Sequence, residues 1–178
     1  VPRPSVVAAV GGGGEPAELV ARLELILDVA THAPLDARVA RALAALALSY
    51  GTPGVVAQAA RRFIVLVDAA KEVERLGTRS PVPVEVAPFA WRSHLSFFRG
   101  LGAEPRPREL PAGGLARTDN GNYLIDLTFN SGIESPYQVE TALRGRAGVL
   151  ETGLFLQMTD RVYVGSSGGV RVRERGSR

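Results

Sequence analysis

The feature that most constrains the fold of this chain is one uninterrupted apolar run, F-I-V-L-V at 63–67, which ends in Asp68. A short apolar run without polar alternation is typical of a strand buried on both faces. Such strands belong to parallel sheets covered by helices, so the run predicts an α/β protein. Ligands of these sheets bind beyond the carboxyl ends of the strands, and Asp68 and Lys71 lie at that end of the predicted strand.

The segments before this strand are predicted to be helical. Apolar residues recur three and four positions apart over 16–48, with a break at 32–34, which is the spacing of two amphipathic helices. A cluster rich in Gly and Pro indicates a turn at 49–54, and a short helix over 55–62 is expected to lead into the strand.

Beyond Ser80-Pro81 the pattern changes to short strands and helices in the order β-α-β-β-α-β. This order is the split βαβ or ferredoxin-like arrangement. The predicted strands cover 82–86, 104–110, 122–129 and 148–156, and the predicted helices cover 90–99 and 135–144. A final hairpin is expected over 161–164 and 170–173, and its first strand could return to the first sheet.

Composition excludes several classes of function. The chain has no cysteine and only two histidines, His32 and His94, so disulfides, thiol chemistry and a multi-histidine metal site are ruled out, and no metal site is predicted. The longest apolar runs, 42–48 and 63–67, fall far short of the ~20 residues that cross a bilayer, so no membrane partner is expected.

The start at Val1, without a signal-like segment, suggests a processed N-terminus. We expect a cytoplasmic location, with an organelle as the alternative.

Basic residues outnumber acidic ones by 21 to 18, and Lys71 is the one lysine among them. Arg171, Arg173 and Arg175 alternate near the C-terminus, which places them on one face of a predicted strand. A solvated strand edge is the favoured interpretation of this pattern. A nucleic-acid stripe has only charge in its favour, because no aromatic residues interleave to stack on bases. No nucleic-acid partner is therefore predicted.

Five motifs follow one another from the predicted strand onward. They are R-F-I-V-L-V-D-A-A-K at 62–71, L-G at 76–77, P-V-P-V-E-V-A-P-F-A at 81–90, T-D-N-G-N-Y-L-I-D at 118–126 and A-G-V-L-E-T-G-L-F at 147–155. In this order and spacing they resemble ribose-5-phosphate isomerase of the A type. The resemblance extends from about residue 55 to the C-terminus.

That resemblance implies an enzyme that interconverts ribose 5-phosphate and ribulose 5-phosphate in the pentose phosphate pathway, without a cofactor. It implies a Rossmann-like core, here 1–81 plus 162–178, with an inserted ferredoxin-like lid, here 82–161, and assembly into homodimers or homotetramers. The reaction is a proton shuttle through an enediolate. It needs a carboxylate base, donors that stabilise the oxyanion, and a cradle for the phosphate.

The chain departs from the family where the base and the cradle belong. It contains neither the G-T-G-S-T phosphate loop nor the D-G-A-D-E carboxylate segment. Aligning the helix before the strand puts Pro53 at the position of the family's base, and a proline cannot act as one. Aligning the glycine run instead, with Gly11, Gly12 and Gly13 as weak candidates for substrate binding, puts Glu18 one residue short of that position. The catalytic residues are therefore left unassigned.

Lys71 is the family site residue that matches cleanly. It follows Asp68 in the sequence D-A-A-K, and the resemblance implies that this lysine contacts the sugar phosphate. The Asx and Gly cluster at 119–122 also matches a family motif, but such clusters set turns, so we predict a structural role for it. His94, on a predicted helix beside two phenylalanines, is predicted to be packed rather than catalytic.

Two functions follow from these observations and stay open at this point. The first is a ribose-5-phosphate isomerase whose activity is impaired because the catalytic carboxylates are not found. The second is a catalytically silent relative that binds a sugar phosphate or pairs with an active isomerase.

Overall fold

The computed structural model describes residues 5–9, 62–166 and 169–175. Within these residues the strands and α-helices are, in chain order, β1 (Ser5–Ala9), β2 (Arg62–Asp68), β3 (Val82–Val86), α1 (Ser93–Gly100), β4 (Glu104–Pro107), β5 (Tyr123–Thr128), α2 (Pro136–Arg144), β6 (Val149–Thr152), β7 (Arg161–Ser166) and β8 (Gly169–Glu174). The chain divides into two compact units. Unit 1 comprises Val1–Glu72 and Gln157–Arg178, and unit 2 comprises Val73–Leu156.

Unit 1 contains a four-stranded sheet in the order β1-β2-β7-β8. Strand β2 pairs in parallel with β1 and with β7, while β8 pairs antiparallel with β7 at the edge. This confirms the parallel strand predicted from the apolar run, and also the return of the first hairpin strand to the same sheet. Among the side chains of β2 that the structure describes, Phe63 is buried, whereas Ile64, Val65 and Val67 are half-buried. The burial expected on both faces is therefore only partial.

Strand β1 was not predicted from the sequence. All five of its residues pair with the first five residues of β2. The two segments are far apart in the chain, and parallel pairing of this kind depends on a crossover rather than on a local turn signal. A short S-V-V-A-A segment therefore has nothing near it in sequence that identifies its partner.

Most of the predicted N-terminal helices lie outside the described residues. This holds for both helices over 16–48, for the turn at 49–54 and for all but the last residue of the helix over 55–62. That last residue, Arg62, was wrongly predicted, because it begins β2.

Unit 2 contains the predicted β-α-β-β-α-β order. Its sheet has the strand order β4-β5-β3-β6, and every neighbouring pair is antiparallel. The two helices and the two central strands contribute to one apolar core. Its largest fully buried side chains are Phe98 of α1, Leu143 of α2, Val84 and Val86 of β3, and Ile125 and Leu127 of β5. On β3 and β5 these core positions are two residues apart, as expected for one face of each strand.

Several predicted boundaries in unit 2 were wrong, each for a local reason. Helix α1 begins at Ser93 rather than at residue 90, because Ala90 has a left-handed φ of 52° that a helix cannot contain. Strand β4 ends at Pro107 rather than at residue 110. The Arg108 N–H still donates to the Leu124 carbonyl at 2.8 Å, but Glu109 then pairs with Leu115 in an isolated bridge instead of continuing along β5.

The last strand of unit 2 is shorter than predicted as well. Strand β6 ends at Thr152 rather than at residue 156, and the chain turns as the Thr152 Oγ1 accepts a hydrogen bond from the Leu154 N–H at 3.2 Å. The turn needs a glycine at Gly153, where a Cβ would lie 2.6 Å from the Cδ of Pro83.

Candidate functional site

Lys71 lies just beyond the carboxyl end of β2. Strand β2 ends at Asp68, and Ala69–Lys71 forms a single 3₁₀ turn, which the Glu72 N–H closes by donating to the carbonyl of Ala69 at 3.3 Å. Because β2 and β7 run parallel, their carboxyl ends meet at the same edge of the sheet. Lys71 therefore lies at the edge where parallel sheets bind ligands, as its position after the apolar run predicted.

The Lys71 ammonium has no hydrogen bond or ion pair to any residue in the part of the chain that the structure describes. The carboxylate next to it in sequence, Glu72, is occupied by two arginines of β8. Arg171 binds Oε2 of Glu72, and Arg173 binds Oε1 at 3.1 Å. Lys71 is thus a half-buried cation whose neighbouring anion is already paired. Sequence analysis had placed the two arginines on one strand face but had not identified Glu72 as their partner.

A second polar cluster lies within unit 2, around Glu85 in the middle of β3. Glu85 is 6% exposed, and its Oε1 accepts hydrogen bonds from Thr118 Oγ1 at 2.8 Å and from Asn122 Nδ2 at 2.7 Å. These bonds hold a tight turn in which Gly121 adopts a left-handed φ of 78°. The T-D-N-G-N motif is therefore a structural turn, as predicted.

Glu85 was not singled out by sequence analysis. The signal that could have found it is a single acidic residue in the otherwise apolar strand V-P-V-E-V. A carboxylate at such a position is buried with its strand, so it must find hydrogen-bond donors inside the protein.

His94 is packed inside unit 2, as predicted. It is 3% exposed, its ring stacks on Phe98 with centroids 5.8 Å apart, and its Nδ1 accepts a hydrogen bond from Arg146 Nε at 3.4 Å. Burial, with a smaller contribution from the Arg146 charge, lowers the pKa of His94 below its usual value. The imidazole is therefore neutral at pH 7 and serves as an acceptor in the core.

The remaining predicted site residues belong to the segment before β2. Gly11, Gly12, Gly13, Glu18 and Pro53 all lie outside the described residues. Their predicted relation to a glycine loop and to the base position stays a prediction.

Metal-binding groups and membrane-spanning helices are both absent from the described residues. Across 5–9, 62–166 and 169–175, no three His, Asp or Glu side chains come together as a group that could hold a metal ion. In the same ranges, no helix has the length and apolar character needed to cross a membrane.

Known proteins resemble this chain in both sequence and structure. The family ribose 5-phosphate isomerase A (phosphoriboisomerase A) matches residues 53–169. Ribose-5-phosphate isomerase A of Thermomicrobium roseum is 42% identical over 121 residues, which are 68% of this chain and 51% of that protein.

Solved structures agree with that match. Ribose 5-phosphate isomerase A from Methanocaldococcus jannaschii has a TM-score of 0.65 and 35% identity, over 71% of this chain and 55% of that one. A D-ribose-5-phosphate isomerase in complex with phospho-erythronic acid has a TM-score of 0.72 and 25% identity, over 97% of this chain and 92% of that one.

The two sheets with their helices define an α/β protein with the fold of sugar-phosphate isomerases of known structure. The chain belongs to the ribose 5-phosphate isomerase A family. It spans about half the length of the curated relatives that it matches.

Proposed function

We propose that this chain acts as a ribose-5-phosphate isomerase, interconverting D-ribose 5-phosphate and D-ribulose 5-phosphate. The observation that carries the proposal is the placement of Lys71 within the family match. The chain's one lysine lies at the carboxyl edge of a parallel sheet and, among the described residues, has no partner. An ammonium in that position is a point-charge partner for a phosphate dianion.

In this proposal Lys71 binds the phosphate of the sugar and so fixes the position of the carbons that react. The proton moves between the first two carbons through an enediolate, carried by a carboxylate base. Gly11, Gly12 and Gly13 are weaker candidates for substrate contacts. The base itself stays unassigned, since the family position corresponds to Pro53 in one alignment and lies next to Glu18 in the other.

We further propose the domain organisation of the family for this chain. Residues 1–81 and 162–178 form a Rossmann-like core, which the parallel pairing of β2 with β1 and β7 supports. Residues 82–161 form a ferredoxin-like lid, which the all-antiparallel order β4-β5-β3-β6 supports. The active form is a homodimer or homotetramer in the cytoplasm and uses no cofactor.

A silent sugar-phosphate-binding relative is the second candidate function. The observation that favours it is the lack of G-T-G-S-T and D-G-A-D-E in this sequence. Losing a general base and oxyanion donors costs about 10²-fold or more in rate for each. We therefore expect turnover at least ~10²-fold below that of a relative that carries both motifs.

A coupled assay of ribulose 5-phosphate formation, together with calorimetric titration of ribose 5-phosphate, separates the candidates. Binding with measurable turnover that scales with protein concentration supports the isomerase. Binding without turnover supports the silent relative. If neither binding nor turnover is found, both candidates are wrong.

A further inference from the structure

Two arginines of one strand share the carboxylate that follows Lys71. Arg171 and Arg173 both lie on β8 and are two positions apart, so their side chains leave the same face of the strand. Each takes a different oxygen of Glu72. The 3₁₀ turn that carries Lys71 and the edge strand of the same sheet are thus tied together through one acidic residue.

Strand β8 presents these arginines because it is the outer strand of the unit 1 sheet. It pairs antiparallel with β7 along its whole length, and all of its residues are exposed. The arginines keep more than half of their side-chain surface in contact with water, whereas Glu72 keeps less than a third. The carboxylate is therefore the more buried partner in both ion pairs.

This pairing matters because Glu72 is the carboxylate that is adjacent to Lys71 in sequence. A carboxylate close to an ammonium attracts it and competes with a phosphate for the same charge. With both Glu72 oxygens held by guanidinium groups, the Lys71 ammonium makes no ion pair in the described residues.

We propose that Arg171 and Arg173 are positioning residues for phosphate binding, which act by holding Glu72 away from Lys71. The inference rests on the proposed role of Lys71 as the phosphate contact. In this proposal, the ion pairs between Glu72 and the two arginines of β8 determine how tightly Lys71 binds phosphate.

The composition of the chain makes a direct test possible. Because Lys71 is the only lysine, lysine labelled at Nζ with ¹⁵N gives one side-chain ammonium NMR signal in the full chain. The signal is followed while inorganic phosphate, and separately ribose 5-phosphate, is titrated into wild type, Arg171→Gln, Arg173→Gln and the Arg171→Gln/Arg173→Gln variant. Arg175→Gln is the matched control, because it removes the same charge just beyond β8 from a residue that does not bind Glu72.

We expect the double variant to bind phosphate about fivefold more weakly than wild type. An effect of this size is typical for the loss of exposed ion pairs. Adding Glu72→Gln to the double variant should restore wild-type affinity, since the competing carboxylate is then gone. Arg175→Gln should stay within about twofold of wild type, because exposed charges beyond direct contact are screened. Turnover of ribose 5-phosphate is measured in parallel on the same variants.

Failure of Glu72→Gln to restore binding would overturn the proposal, because the arginines would then act on the ligand or on the strand rather than through Glu72. Unchanged binding in the double variant, or a Lys71 signal that does not respond to phosphate in wild type, would overturn it equally. A failure of the isomerase function looks different. Phosphate binding would then show the expected pattern at Lys71, but no variant, wild type included, would turn over ribose 5-phosphate.

Discussion

Unit 1 and unit 2 both contain a four-stranded sheet, but the two sheets are held together in different ways. In unit 1, β1, β2 and the hairpin of β7 and β8 come from distant parts of the chain. The edge strand β8 is exposed and makes ion pairs from Glu174 to Arg161 and from Arg171 and Arg173 to Glu72. In unit 2 all four strands fall within 84 consecutive residues, 73–156, and the two central strands share a core of fully buried side chains with the two helices.

This difference indicates where each unit can tolerate change. Exposed ion pairs contribute little to stability, so substitutions at the charged edge of unit 1 should cost little free energy of unfolding. Buried apolar side chains contribute several kcal/mol, about 3–5 for a large one, so unit 2 depends on the fit of its core. Substitutions in unit 2 should therefore lower the free energy of unfolding, and substitutions at the edge of unit 1 should lower ligand affinity.

The largest effect is expected in the core of unit 2, and two phenylalanine substitutions test it. Phe98→Ala should lower the free energy of unfolding by about 3–5 kcal/mol, because it leaves a cavity in a packed core. Phe89→Ala is the matched control, since Phe89 is 91% exposed, and should change it by less than about 0.5 kcal/mol. Urea unfolding followed by the fluorescence of Trp91, the only tryptophan, measures both. Similar losses in the two variants would contradict the comparison.

The next effect concerns the buried carboxylate of unit 2. Glu85→Ala leaves Thr118 Oγ1 and Asn122 Nδ2 without their acceptor and should cost about 1–3 kcal/mol of stability. Glu85→Gln keeps an acceptor oxygen and should cost less. Glu134→Ala, at an exposed position, is the control and should have little effect. If Glu85→Ala is as stable as the control, the turn does not depend on this carboxylate.

A smaller effect, on affinity rather than stability, is expected in unit 1. Lys71→Ala should weaken binding of ribose 5-phosphate about tenfold, equivalent to about 1.4 kcal/mol, because one charged contact to the phosphate is lost. The wild-type affinity should also fall as salt is added, since the contact is electrostatic. Arg99→Ala removes the same charge from an exposed position in unit 2 and should leave calorimetric binding unchanged. Equal losses in both variants would mean that only net charge matters.

The smallest expected effect is a pH dependence of unit 2. Burial and Arg146 lower the pKa of His94 in the folded state, so below the usual histidine range the unfolded chain takes up a proton that the folded chain does not. Stability is therefore complete at pH 7 and above, and falls as the pH drops through the lowered folded pKa.

His94→Gln should flatten the dependence of the urea midpoint on pH between pH 7.5 and 5, compared with wild type. Because only the titration of residue 94 differs between the two proteins, other titrating groups cancel in the comparison. Parallel slopes for both proteins would show that His94 does not contribute.

Much of unit 2 was predictable because its signals are local. A β-rich composition marked β5, Gly and Pro marked the turns between elements, and the Asx and Gly cluster at 119–122 marked its own turn. The errors occurred at ends of elements. At these ends, one backbone angle or one contact decides where the element stops. Examples are the left-handed φ of Ala90 and the close approach of Gly153 to Pro83.

The sequence alone determined the strand at 63–67, the β-α-β-β-α-β order, the packing of His94 and the position of Lys71 after a parallel strand. Each of these depends on the period of apolar residues or on neighbours along the chain. Only the tertiary structure showed that β1 lies beside β2, that Glu85 accepts hydrogen bonds from 118–122, and that Glu72 is shared by two arginines of β8. These contacts join residues that are distant in sequence, and one chain's order of residues contains no signal for which distant polar groups will meet.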